Sequence, residues 1–218
     1  MFSFLLLLSC TDGESNTQKV TESIPQKTSK LQQENPKVIF LGDSLSAGMG
    51  LAKEQAFPHL LDAMLDEQQL PTSIINAGVS GDTTSGGLRR LNWILKQDPQ
   101  LIVLELGAND GLRGQPLTEI EKNLSTMIET IQQQNIAVIL VGMQVPTNYG
   151  NEYTQGFADI YPKLAKKYKL PFVPFLLEGV AGEAHLNQPD GIHPTAEGQK
   201  ILAQNVLPIL QEWRAKQE

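Results

Sequence analysis

The stretch Val38-Ile39-Phe40-Leu41-Gly42-Asp43-Ser44-Leu45-Ser46 runs four apolar residues straight into Gly-Asp-Ser. A short β-rich run ended by glycine reads as a buried strand. Ser44 then falls at the strand's carboxyl end, the edge at which open α/β sheets place their ligands. Taken alone, the same residues also describe a polar turn in which Ser44 caps the next helix. The choice between nucleophile and cap rests on what the remaining segments bring to the same edge.

Working outward, strand-like and helix-like stretches alternate from Pro36 onward. Ile74 to Ala77, Leu101 to Leu106, Ile136 to Val141 and Phe172 to Phe175 read as four further strands. The last is short and interrupted by Pro174, which suits an edge. Between them lie helical stripes: Phe57, Leu60, Leu61, Met64 and Leu65; then Leu88, Leu91, Ile94 and Leu95. A third, Ile120, Leu124, Met127, Ile128 and Ile131, is preceded by Thr118 and Glu121, spaced as a capping box. The carboxyl-terminal stretch carries Ile201, Leu202, Val206, Leu210 and Trp213. Such alternation implies right-handed βαβ units and a mostly parallel sheet covered on both faces, an α/β fold.

The 218 residues suffice for one sizeable domain. A net charge of −7 argues against a nucleic-acid partner, which needs concentrated Lys and Arg. The one dense basic cluster, Lys163, Lys166, Lys167 and Lys169, reads as the solvated face of a helix. Cys10 is the single cysteine, so neither an internal disulfide nor a cysteine-based zinc site can form. Any reaction that needs a histidine base must draw on His59, His185 or His193.

Residues 1–10 end in Leu7-Leu8-Ser9-Cys10 after an apolar run too short to span a bilayer. The segment is similar to the lipobox of bacterial lipoproteins, in which the cysteine is acylated. It lacks a Lys or Arg before the run and carries the bulky Leu8 where a small residue is usual. A plain signal segment and an untargeted terminus are the other readings. Residues 11–35 are polar and without period, and read as a flexible tether to a domain over 36–218. The expectation is a periplasmic or cell-envelope monomer, tethered to a membrane through Cys10.

Four polar segments sit where the alternation places strand ends and the last loop. They are Gly42-Asp43-Ser44, Gly78-Val79-Ser80-Gly81-Asp82-Thr83-Thr84, Gly107-Ala108-Asn109-Asp110 and Asp190-Gly191-Ile192-His193-Pro194. In a parallel sheet these reach one rim. They supply what acyl transfer needs. A serine hydroxyl requires an adjacent base, and His193 can serve. An imidazole needs an acceptor on its second nitrogen, and Asp190 lies three residues away. An oxyanion needs preorganised donors: the N–H of Ser44, the N–H of Gly81 and the side-chain amide of Asn109. Each piece has an ordinary reading as turn or cap, and Asp43, Asp82 and Asp110 read as loop-holding or capping residues. His59 and His185 read as bystanders.

Together these residues resemble the SGNH, or GDSL-type, hydrolases, whose motif residues Ser, Gly, Asn and His match Ser44, Gly81, Asn109 and His193. The resemblance covers roughly residues 37 to 212. The phrasing from Asn76 to Thr84 is most similar to the bacterial branch of multifunctional thioesterase I, lysophospholipase L1 and arylesterase. It implies Ser44 as nucleophile, His193 as base with Asp190 as its partner, and Ser44, Gly81 and Asn109 as the oxyanion hole. It implies a three-layer α/β/α, flavodoxin-like fold with a five-stranded parallel sheet and no metal or organic cofactor.

The function expected is hydrolysis of small or lipid-like esters and thioesters through an acyl-serine. Two alternatives stand beside it. One is a metal-dependent phosphoesterase built on Asp43, Asn109, Asp110, Asp190 and His193, although such sites usually hold several histidines. The other is a tethered binding protein on a hydrolase fold. For substrate contacts, Val145 and Tyr149, in the loop after the fourth strand, are expected to line an acyl pocket.

Overall fold

The computed structural model describes residues 1–2 and 35–217. The expectations for Cys10 and for the polar stretch that follows it lie outside these residues, Asn35 apart. In chain order the elements are β1 (Lys37–Gly42), α1 (Ser44–Ala47), α2 (Phe57–Glu67), β2 (Ser73–Asn76), α3 (Thr84–Leu95), β3 (Leu101–Glu105), α4 (Ala108–Leu112), α5 (Leu117–Gln132), β4 (Ala137–Val141), α6 (Asn151–Tyr168), β5 (Phe172–Val173) and α7 (Ala196–Ala215).

The five strands form one sheet in the order β2-β1-β3-β4-β5, parallel throughout. Strands β1 and β3 are central and covered on both faces. That is why Val38 to Leu41 and Leu101 to Leu104 are unbroken apolar runs with no exposed side chain. The two-residue β5 lies at an edge, where Pro174 ends it without costing a ladder bond.

Helices α3, α5 and α6 pack in one group and α2 with α7 in another. The right-handed crossover rule puts these groups on opposite faces, because β1→β2 and β2→β3 run in opposite directions across the sheet. The sheet is therefore the middle of three layers. The order reverses between β1 and β3, so their carboxyl ends open a crevice, and the segments beginning at Asp43 and Leu106 flank it.

One local expectation fails. Thr118 and Glu121 form no capping box. Helix α5 starts at Leu117 behind Pro116, without a side-chain cap. With Pro116 at the N-cap, its backbone preset, the helix starts two residues earlier than that box requires and leaves Thr118 inside the first turn. Glu121 instead pairs with Lys163 at 2.7 Å, and Lys167 lies 3.8 Å from Glu129, so two of the clustered lysines are exposed partners of α5.

Candidate active site

β1 ends at Gly42 and the chain turns at once into α1. The carboxylate of Asp43 accepts the N–H of Leu45 at 2.9 Å and so caps this four-residue helix. The turn leaves no room for side chains. A Cβ on Gly42 would lie 2.1 Å from Ser46 Oγ, and one on Gly78 would lie 2.5 Å from the backbone nitrogen of Ala47. Glycine is needed at both because backbone and side chains pass this close. Ser44, 7% exposed, is left at the crevice with its hydroxyl facing the last loop.

That loop brings His193. Its Nε2 lies 2.9 Å from Ser44 Oγ, and its Nδ1 lies 2.7 Å from Asp190 Oδ2. The second carboxylate oxygen of Asp190 accepts the N–H groups of Ile192 and His193, each at 3.0 Å. The imidazole bond first, then these two backbone bonds, hold the Asp190 carboxyl down at about 2. An ionised carboxylate only accepts, so Nδ1 carries the proton and Nε2 offers its lone pair to the serine hydroxyl. The loop is closed by a bridge between Asn187 and Pro194 and by Gln188, whose side chain donates to the carbonyls of Met49 at 2.7 Å and Pro194 at 3.0 Å.

The third strand end supplies Asn109, in the first turn of α4. Its Nδ2 donates to Asp43 Oδ2 at 3.1 Å, which leaves the second amide hydrogen for another acceptor. Gly81, with φ +79°, lies in the turn after β2, and its carbonyl accepts from Arg113 at 3.1 Å. Asp110 ties the two segments together, taking the N–H of Thr84 at 2.8 Å and its hydroxyl at 2.7 Å. Ser44, Gly81, Asn109 and His193 all line one cavity of about 700 Å³.

A hydroxyl, an oriented imidazole and a cluster of donors around one space match a known pattern: the description of the GDSL-like Lipase/Acylhydrolase family fits residues 40–201. The chain belongs to this family. An arylesterase of Vibrio mimicus is 44% identical over 184 residues, spanning 84% of this chain and 92% of that one. The thioesterase 1/protease 1/lysophospholipase L1 of Escherichia coli K12 is 40% identical over 181 residues, 83% of this chain and 82% of that one. The crystal structure of TesA superposes with a TM-score of 0.78 at 40% identity, covering 81% of this chain and 98% of TesA.

Beneath Ser44, this GDSL-family site has a second layer. Glu105, the last residue of β3, is fully buried. Its Oε2 accepts the hydroxyl of Ser46 at 2.5 Å and the N–H of Asp43 at 3.2 Å, while Oε1 has no hydrogen-bond partner. Burial pushes its carboxyl well above the usual range, and the neighbouring Asp43 adds to this. Burial also raises Asp43, to about 6. Each carboxylate oxygen of Asp43 has its own donor, from Leu45 or Asn109, whereas both donors to Glu105 fall on Oε2 and Oε1 has none; this favours the proton of the pair on Glu105. Glu105 breaks the apolar run Leu-Ile-Val-Leu-Glu-Leu, and a lone acid in a buried strand was the signal for it.

Val145 lines the cavity. Tyr149 does not: its hydroxyl donates to the carbonyl of Leu112 at 2.7 Å, so it braces the neighbouring segment. Phe175, Leu177 and Ala181, which follow β5, also line the cavity and were missed by sequence reading. Only the β5 ending beside β4 marks them. His59 and His185 are exposed and are not among the cavity's lining residues. Among the described residues, no three His, Cys, Asp or Glu side chains converge to hold a metal ion.

Proposed function

We propose that this GDSL-family serine esterase hydrolyses carboxylic esters and thioesters with apolar acyl chains, through an acyl intermediate on Ser44. The observation that carries the reading is the chain of contacts Ser44–His193–Asp190, at 2.9 and 2.7 Å. Ser44 Oγ attacks the carbonyl carbon while its proton passes to His193 Nε2. The oxyanion receives hydrogen bonds from the N–H of Ser44, the N–H of Gly81 and Nδ2 of Asn109. The carbonyl re-forms, the bond to the alcohol or thiol breaks, and His193 returns the proton to the leaving oxygen or sulfur. Water then adds to the acyl carbon and gives its proton to His193, which passes it to Ser44 as the acid departs. Asp190 stays ionised and stabilises the imidazolium formed twice per cycle.

The cavity favours an apolar acyl group, because Leu112, Val145, Phe175 and Leu177 are among its walls. The names of the relatives, esterase, arylesterase and thioesterase, agree with acyl transfer to water. We further propose that the enzyme works as a monomer without a cofactor, anchored in the cell envelope through an acylated Cys10. Fatty-acid incorporation that is lost in Cys10→Ala is the test of the anchor.

The test of the activity is hydrolysis of nitrophenyl esters of increasing length beside acyl-CoA and lysophospholipid. Ser44→Ala is expected to reduce turnover by a factor on the order of 10⁴–10⁶ and to abolish labelling by a fluorophosphonate. Retained turnover in that variant would overturn the assignment.

A further inference from the structure

Arg90 is used by none of the steps above and does not line the cavity. Its guanidinium is nevertheless committed to three separate points around the site. Nη2 donates to the carbonyl of Gly42 at 2.9 Å, Nη1 to the carbonyl of Ala77, and Nε to the carboxylate of Asp82 at 2.7 Å. The first acceptor lies two residues before Ser44. The last lies one residue after Gly81. The Arg90 and Asp82 side chains are only 20% and 11% exposed, so the pair is shielded from solvent.

We propose that Arg90 is a positioning residue that sets the spacing between the two backbone donors of the oxyanion hole, the N–H of Ser44 and the N–H of Gly81. The proposal rests on the acyl-transfer reading of the site. Its physical ground is the way the Gly81 segment is held: Arg113 donates to the Gly81 carbonyl, the N–H of Asp82 donates to the carbonyl of Val79 at 3.0 Å and Asp110 holds Thr84, while Arg90 joins the segment to the end of β1. β2 ends at Asn76 and α3 starts at Thr84, and the intervening backbone has no regular structure. Two backbone bonds hold its start to β1, from Ala77 to Phe40 at 3.0 Å and from Val79 to Gly42 at 3.1 Å. Beyond Val79 the turn carries an exposed glycine with φ +79°. Arg90 reaches from α3 across this turn and binds Asp82 on one side and the end of β1 on the other. A planar fork with fixed donor directions can do this; the single ammonium of lysine cannot meet three acceptors so arranged. Hole donors act only when they sit at hydrogen-bond distance from the developing oxyanion, and small misplacements are costly in rate.

The consequence is a split between rate and binding. Arg90 touches neither the cavity nor the acyl walls, so its loss is expected to lower kcat and leave KM nearly unchanged. The experiment compares Arg90→Lys, Arg90→Ala and Asp82→Asn with wild type, with turnover expressed per serine labelled at the end point by a fluorophosphonate. That normalisation removes any misfolded fraction. We expect turnover per labelled serine to fall about 10- to 100-fold in the arginine variants and less in Asp82→Asn, with KM within twofold. Methylguanidinium added to Arg90→Ala is expected to restore part of the rate. Wild-type turnover per labelled serine in Arg90→Lys and Arg90→Ala would overturn the proposal. Should those two prove too unstable to isolate, wild-type turnover in Asp82→Asn would overturn it as well. Activity persisting in Ser44→Ala would instead sink the reading of the site itself, whatever the arginine variants do.

Discussion

Ser44 and His193 meet at 2.9 Å, yet the two sides of that contact are built in opposite ways. The Ser44 side is held by burial. Gly42, Asp43, Ser44 and Ser46 sit at the end of a central strand over a buried, protonated Glu105, and glycines allow the close packing. The His193 side is an irregular loop near the surface, where the Asp190 side chain is 45% exposed. There one carboxylate collects three hydrogen bonds within four residues, inside a loop closed by Gln188 and the Asn187–Pro194 bridge. Shape fixes the first side and a local charge fixes the second. The two therefore respond to substitution and to pH in opposite senses.

Asp190→Asn is the harsher test of this contrast. The amide can present an N–H to Nδ1 and stabilise the wrong tautomer, so turnover is expected to fall by about 10⁴ with the fold intact. The sign of the linked pH effect follows from the lowered carboxyl. The unfolded chain, near 3.8, takes up a proton before the folded chain does, near 2, so the stabilisation is present above 3.8 and lost as pH falls between those values. Wild type should lose stability on acidification through that window more than Asp190→Asn does, by a small amount because the group is exposed. Equal slopes in thermal melts between pH 2 and 5 would remove the charge-based account of this loop.

Asn109→Ala removes the amide proposed as an oxyanion donor and the partner of Asp43. Turnover should drop about 10²- to 10³-fold with little change in KM. A rise in KM alone would reassign Asn109 to ground-state binding.

Glu105→Gln sharpens the comparison from the buried side. The folded protein keeps a proton on Glu105 that the unfolded chain releases above 4.5, so the group's contribution to stability falls as pH rises. The glutamine variant lacks that slope. Its stability relative to wild type should increase from pH 5 to 8, with turnover within about tenfold of wild type because a neutral acceptor still faces Ser46. A relative stability that declines over this range would mean that Glu105 is ionised.

The smallest effects belong to the loop after β4. Val145→Trp should shift chain-length preference towards short esters, since Val145 lines the cavity. Tyr149→Phe should leave that preference alone and cost about 1 kcal/mol or less, the value of one exposed hydrogen bond to Leu112. A changed profile in Tyr149→Phe would return it to the acyl wall.

Much of this enzyme was determined by sequence alone, because the determinants are local and periodic. Unbroken apolar runs required buried parallel strands, stripes at helical spacing required helices, and four polar blocks in order marked the rim where Ser44, Gly81, Asn109 and His193 gather. Tertiary structure alone decided the rest. Helix α5 begins at Leu117, behind Pro116, and so leaves Thr118 in its first turn without a capping role. Phe175, Leu177 and Ala181 line the cavity because β5 ends beside β4 and delivers the following segment to the same rim. Glu105 became a neutral acid, and Arg90 a three-way clamp, because folding surrounded them with particular partners. A charge state and a hydrogen-bond network depend on what lies nearby in space, and residues 62 positions apart, as Asp43 and Glu105 are, acquire that relation only when the sheet forms.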